Sequence, residues 1–249
     1  MKYEESFNQS MNITMPGLAA TRTALARLLR SIDTVGWSSR EESGRLDRHA
    51  LTRYAVGDAN IFSRRTYQEA DTAAVQILID CSGSMHGAEI SMAQDFAVQL
   101  GKILSKTKVS FSCLGFRMGS DGDERGEKTI FYSFKNWHQK FGIKMGAIKD
   151  SAGGGTPDYC ALWHGINIIS QRPEKRKVLF LIGDSRGYDI QSMKHLENMA
   201  TKLGVTIIGI GIGYTDMPMC LTNSQNIFKI EDLCGTGFKS ILKTLGGKQ

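Results

Sequence analysis

The apolar run Val75-Gln76-Ile77-Leu78-Ile79, followed directly by Asp80-Cys81-Ser82-Gly83-Ser84, constrains this chain more than any other stretch. The run reads as a buried strand, and such a strand delivers its last residues to the carboxyl edge of a sheet, where open α/β folds place their ligands. At that edge the sequence sets one carboxylate and two hydroxyls on alternate residues. Gly83 and Gly87 let the loop curl so that Asp80, Ser82 and Ser84 can converge on one point. Oxygen donors of this kind suit Mg²⁺, which keeps several waters and takes few protein ligands, better than they suit zinc.

Strand and helix signals alternate regularly through the rest of the chain. The first strand, 75 to 80, is followed by a helix whose Ala93, Phe96, Ala97, Leu100, Ile103 and Leu104 form a stripe at i, i+3, i+4, i+7 spacing. Val109 to Phe116 and Thr129 to Phe134 read as strands two and three, joined by the polar loop 119–126. A hairpin makes strand three antiparallel and sets it at an edge. Helices near 158–170 and 189–203 flank the strand Val178 to Gly183, which ends at Asp184. Val205 to Ile210 is a fifth strand and Ile227 to Ile230 a short sixth, and Phe238, Ile241, Leu242 and Leu245 face a last helix inward. The pattern predicts an α/β fold with a doubly wound, mostly parallel six-stranded sheet and helices on both faces. Right-handed crossovers then require the strand order to reverse, between strand one and the strand ending at Asp184.

Residues 1–70 stand outside this pattern and are expected to form a helical N-terminal extension to a main domain at 71–249. Leu25, Leu28, Leu29 and Ile32 have helical spacing, and Leu46, Ala50, Tyr54 and Ala55 suggest a second helix stopped near Gly57. Nine arginines, no lysines and five carboxylates lie between 20 and 65. The mixed charges and the lack of interleaved aromatics favour a solvated helical face over a nucleic-acid surface. A net charge of +6 favours acidic partners only weakly.

No apolar run approaches the ~20 residues of a membrane span, and no basic stretch precedes an apolar one at the start, so a cytoplasmic protein is expected. The five cysteines form no C-x-x-C pair and read as reduced thiols. Cys81 alternates away from Asp80 and Ser82 and reads as a small core residue rather than a nucleophile. Gly209, Gly211 and Gly213 follow a late strand and point to close packing or a turn, not to a dinucleotide loop. Asp121, Asp123 and Glu124 lack the onward spacing of a calcium loop and read as a hairpin tip. His86, beside the first loop, reads as an exposed side chain.

The spacing D-x-S-x-S after a hydrophobic strand resembles the metal-ion-dependent adhesion site of von Willebrand factor A domains, a Rossmann-like family. Gly153-Gly154-Gly155-Thr156-Pro157 is similar to that family's second loop and Asp184 to its third-loop aspartate. The resemblance implies a divalent ion, Mg²⁺ or else Mn²⁺ or Ca²⁺, with Ser82, Ser84 and Thr156 nearest it. Asp80 and Asp184 then act largely through bound water. It also implies one open coordination position, filled by an acidic side chain of a partner protein, and no catalytic residue.

A second resemblance sharpens the first. A basic helix from Leu25, then Gly36-Trp37, Gly44-Arg45-Leu46-Asp47, Leu51-Thr52-Arg53 and Phe62-Ser63-Arg64-Arg65, together with Ile208 to Gly213, is similar to the C-terminal region of the CobT subunit of aerobic cobaltochelatase. That family implies a non-catalytic subunit paired with an AAA+ ATPase of CobS or MoxR type. Together they drive a large chelatase subunit that inserts cobalt into a corrin ring. The family's separate N-terminal domain and long acidic linker have no counterpart in this sequence, which fits a fragment or a stand-alone AAA+ adaptor outside cobalamin synthesis. A metal-assisted hydrolase would need a positioned base that the sequence does not supply. A nucleic-acid binder would rest on the arginine-rich segment alone.

Overall fold

The computed structural model describes residues 2–13, 35–54, 56–57, 59–67, 73–106, 109–120, 127–184, 188–229 and 232. In chain order the elements are α1 (Lys2–Asn12), β1 (Val35–Glu41), β2 (Arg45–Leu46), α2 (Leu51–Tyr54), β3 (Phe62–Tyr67), β4 (Ala73–Asp80), α3 (Ala88–Leu104), β5 (Ser110–Ser120), β6 (Glu127–Lys135), α4 (Asp158–Ser170), β7 (Arg176–Gly183), α5 (Ile190–Lys202), β8 (Val205–Ile212), α6 (Met217–Cys220) and β9 (Ser224–Ile227). Two units result, one comprising Met1–Leu29 with Thr72–Gln249 and the other Arg30–Asp71.

The larger unit is built on a six-stranded sheet in the order β6-β5-β4-β7-β8-β9. Only β6 runs antiparallel to its neighbour. Strand β4 lies inside this sheet and every one of its residues is buried, which is why its sequence is nearly all apolar. Val75, Ile77 and Ile79 pack with Phe96, Leu100 and Ile103 of α3, while Ala74 and Leu78 pack with Leu162, Ile166 and Ile169 of α4. Each such large apolar side chain contributes about 1.5–3 kcal/mol by leaving water. The strand order reverses between β4 and β7, as the crossover rule requires. The register pairs Ile79 with Ile182, which sets Asp80 beside the end of β7.

The last strand is shifted from its expected place. It occupies Ser224–Ile227 rather than 227–230, because the polar residues Ser224, Gln225 and Asn226 pair through the backbone with Gly209, Ile210 and Gly211 of β8. The Asp232 carboxylate then accepts the Phe228 and Lys229 amides and turns the chain away. The glycines of β8 serve packing, as their position suggested. Gly209 lies under Met217 and Leu221, and Gly211 lies under the Thr215–Asn226 hydrogen bond of 2.7 Å. The expected helix bearing Phe238 and Leu245, the helix from Leu25 to Ile32 and the tip at Asp121, Asp123 and Glu124 lie outside the described residues.

Where residues 1–70 are expected to be a helical extension, the structure is helical at its start and a sheet further on. The unit 30–71 holds an antiparallel sheet in the order β1-β3-β2. The helical spacing of Leu46, Ala50 and Tyr54 loses to strand pairing at Leu46, which joins β2. What remains helical is a 3-10 turn at Arg48–Ala50, capped by Asp47, and α2. Only Ala50 of that apolar set is buried. Gly44, at φ +141°, approaches the Ser63 backbone too closely for a side chain.

Helix α1 belongs to the larger unit, and it buries Phe7 and Ser10, with Met11 packed partly buried beside them. Phe7 meets Phe141 edge-on at 5.4 Å, and Gly146 of the 3-10 segment Ile143–Asp150 lies directly under the α1 backbone. Orphan carbonyls at the helix end find side-chain donors. Gln99 Nε2 donates to Ser10 O at 2.5 Å and Lys102 Nζ to Met11 O at 2.8 Å, while Ser10 Oγ donates to Asp95 at 2.6 Å. Among the described residues no helix is long and apolar enough to cross a membrane.

A methyl group at Gly146 runs into the Tyr3 carbonyl oxygen and the Phe7 amide. Gly146→Ala is therefore expected to lower stability by about 1–3 kcal/mol and to speed hydrogen exchange of the α1 amides. Urea denaturation with exchange mass spectrometry measures both, and unchanged α1 protection would contradict this packing.

Candidate metal centre

The first loop leaves β4 at Asp80, whose side chain is fully enclosed. Its Oδ1 accepts the Ser82 amide at 2.7 Å. One 3-10 turn, Gly83–Met85, follows, and buried Met85 anchors it. The turn sets Ser82 Oγ 3.0 Å from Ser84 Oγ, and Ser84 Oγ donates to Asp184 Oδ1 at 2.8 Å. A hydroxyl has one proton, so with Ser84 donating to Asp184, Ser82 is the donor in the contact between the serines. Residues a hundred positions apart are thus joined at adjacent strand ends.

The second loop is fastened by backbone. Gly153 N–H donates to Cys81 O, Gly83 N–H to Gly154 O and Met118 N–H to Gly155 O, each at 2.8 Å. Glycine suits two of these positions in particular: Gly154, at φ +74°, lies against the Met118 carbonyl, and Gly153, at φ +154°, against the Arg117 guanidinium. Thr156, half-buried, follows directly. Asp80, Ser82, Ser84 and Asp184 are therefore brought together by side-chain and backbone hydrogen bonds, and Thr156 is brought to the same edge by its loop.

Burial dominates the electrostatics. It pushes the Asp80 carboxyl up to about 7, against the opposing hydrogen bonds from Ser82 and with help from the nearby Asp184 charge. Asp80 Oδ2 has no hydrogen-bond partner among the described residues. Among those residues no three His, Cys, Asp or Glu side chains gather as a ligand group, so hydroxyls have to supply part of any ligand set here. A buried carboxylate oxygen without a donor, beside two linked hydroxyls and a second carboxylate, fits a hard divalent cation. The residues that would hold it are Ser82, Ser84 and Thr156, with Asp80 and Asp184 behind them.

Neighbouring side chains bear on the chemistry. Cys81 points into the core, where Ser151 Oγ donates to its sulfur at 3.1 Å and burial pushes the thiol up to about 12. It is a packing residue, as its alternation indicated. His86 is exposed. Tyr188 escapes sequence reasoning: its ring is buried and its hydroxyl faces the same aspartates. The available signal is an aromatic residue set in the polar loop Ser185-Arg186-Gly187-Tyr188-Asp189.

Residues 61–141 match the family described as the cobalamin biosynthesis protein CobT VWA domain. Among solved structures, proximal thread matrix protein 1 from the mussel byssus aligns over 70% of this chain and 48% of its own at 22% identity and TM-score 0.52. The chain has a von Willebrand factor A fold. A form of the same mussel protein with a zinc-occupied MIDAS motif, the metal-ion-dependent adhesion site, aligns over 70% of this chain and 46% of its own at 17% identity and TM-score 0.51. The pilus adhesin SpaC from Lactobacillus rhamnosus GG aligns over 72% and 31% at 14% identity and TM-score 0.50. The chain spans less than half the length of each of these structures.

Because the Asp80 carboxyl is raised from 3.8 to about 7 in the folded chain, the folded state holds the proton where the unfolded state has lost it. The contribution of Asp80 to stability without divalent ions is then fullest below about pH 4, falls by up to about 1.4 kcal/mol per unit as pH rises, and levels above about 7. Urea melts in a chelator across this range test the slope, and Asp80→Asn is expected to flatten it. An unchanged slope in Asp80→Asn would assign the titration to another group.

Proposed function

We propose that this chain is a non-catalytic interaction subunit of the CobT type. In this reading it binds Mg²⁺ through Ser82, Ser84 and Thr156, with Asp80 and Asp184 behind them, and docks an AAA+ ATPase of CobS or MoxR type. The single observation that carries the reading is the hydrogen-bonded series Ser82–Ser84–Asp184 standing beside the buried Asp80 carboxylate. When bound, the ion supplies a Lewis-acidic position for a carboxylate of the partner.

The chain's own residues divide the work. Ser84 gives its proton to Asp184, and Ser82 gives its proton to Ser84, which leaves hydroxyl lone pairs available to a cation. Asp80 is held by the Ser82 amide through one oxygen, and its second oxygen is left without a donor. Backbone ties at Cys81, Gly83 and Met118 hold the loop that carries Thr156 before any ion arrives. Cys81 does not act as a nucleophile in this reading, because its thiol is sealed in the core and held far from thiolate by burial. The family match over residues 61–141 supports an association with cobalamin biosynthesis; the ATPase and the large chelatase subunit as recipient of the coupling are part of the proposal.

Binding of the purified chain to the CobS- or MoxR-type ATPase of its own genome, measured with Mg²⁺ and with chelator, tests this reading. Affinity is expected to fall at least about tenfold on chelation and in Asp184→Ala, with circular dichroism unchanged. Mg²⁺ at about 100 times its dissociation constant is expected to add about 2.7 kcal/mol of stability. Equal binding with and without Mg²⁺ would sink the docking role. Cobalt insertion after the large chelatase subunit is added assigns the process to cobalamin synthesis, and ATPase docking without it assigns an adaptor outside that pathway.

A further inference from the structure

Tyr188 stands four residues beyond Asp184, just ahead of α5, and its ring packs into the cluster that contains Leu181, Met193 and Leu196. The ring is 7% exposed, and its hydroxyl is fully enclosed with no hydrogen-bond partner among the described residues. Asp80 Oδ2 is in the same condition. Both atoms lie 3.3 Å from one point, the position that a Cβ on Gly183 would take. A donor lacking an acceptor and an acceptor lacking a donor therefore stand beside the same open position at Gly183.

Buried tyrosine hydroxyls ordinarily find partners, and a phenylalanine would fill the same apolar volume without leaving a polar atom unanswered. Packing therefore does not account for the oxygen. Burial and the charges of Asp158, Asp80 and Asp184 hold the phenol well above its ordinary value. It remains an O–H donor surrounded by carboxylates.

Resting on the reading of this site as a divalent-cation centre, we propose that Tyr188 is a positioning and specificity-determining residue that donates to Asp80 Oδ2 when the ion is bound. Asp80 Oδ1 already accepts the Ser82 amide. With a donor on each oxygen the carboxylate cannot rotate to grip a cation with both, and it serves the ion's waters instead. Mg²⁺, which keeps its waters, tolerates this arrangement; Ca²⁺, which takes bidentate carboxylates and more ligands, is disfavoured by it. Tyr188 thus selects the smaller ion. Gly183 leaves this position open: a methyl group there would stand 3.3 Å from both oxygens and 3.1 Å from Asp80 Cβ, so these neighbours would have to give by a few tenths of an ångström.

Calorimetric titration of the parent chain, Tyr188→Phe and Gly183→Ala with Mg²⁺ and Ca²⁺, together with near-ultraviolet difference spectra, tests the proposal. Tyr188→Phe is expected to weaken Mg²⁺ about tenfold or more while Ca²⁺ affinity changes less than about threefold, narrowing the selectivity. The tyrosine difference band produced by Mg²⁺ in the parent is expected to vanish in Tyr188→Phe, and Gly183→Ala is expected to show the same loss of selectivity. Equal Mg²⁺ affinity in parent and Tyr188→Phe overturns the role of Tyr188 and leaves the metal reading standing. So does a parallel loss of both ions, which marks a merely structural contribution. If the parent binds neither ion, the metal reading and this inference fall together.

Discussion

A carboxylate enclosed at the end of the buried strand β4 is the constraint around which the rest of this site is arranged. Asp80 is set there by the register of β4 against β5 and β7, and nothing on its own strand can move it toward water. The charged form is costly in such a place unless hydrogen bonds or a cation answer it. One oxygen is answered by the Ser82 amide, and the other stands, with the Tyr188 hydroxyl, beside the open position at Gly183. The fold therefore tolerates a local conflict at the end of β4, of the kind that clusters at functional sites.

The glycine loop beside Asp80 is held by backbone hydrogen bonds, while the Ser82–Ser84–Asp184 series joins the other two loops through side chains. Gly153, Gly154 and Gly155 each share a hydrogen bond with another segment of the same sheet edge, so the position of Thr156 is determined by strands it does not belong to. Side chains are then free to be small. Two serines and a threonine carry little rotamer entropy to lose, which favours a site organised before its ligand arrives.

Much of this is legible in the sequence, for reasons that differ from residue to residue. The strand carrying Val75 to Ile79 is buried on both faces and so nearly all apolar, which makes β4 readable and with it the place of Asp80. Strand β9 defeats the same reading because Ser224-Gln225-Asn226 have no strand character of their own; they pair because glycine-rich β8 offers room beside them. The helical spacing at Leu46 and Ala50 is overridden by pairing of β2 with β3, a tertiary effect that local periodicity does not contain. Tyr188 is invisible because its importance depends on which atoms surround it, and loop sequence alone does not report that. The hydroxyl series from Ser82 to Asp184 is foreshadowed only as an ordered set of three loops, since which oxygen touches which is decided by register.

Helix α1 has a consequence for how the polypeptide comes to be made. Its hydrogen-bond partners lie 84 to 91 positions away, and its seat on Gly146 is more distant still. A ribosome adding about 5–20 residues per second needs roughly 7–30 s to bring that seat into existence after Phe7 has emerged. For the first part of that interval α1 has no native partner, and until its end Phe7 lacks the seat at Gly146 even though α3 has been made. The order of translation thus places the complete docking of α1 after β4, β5 and β6 have been synthesised and before β7.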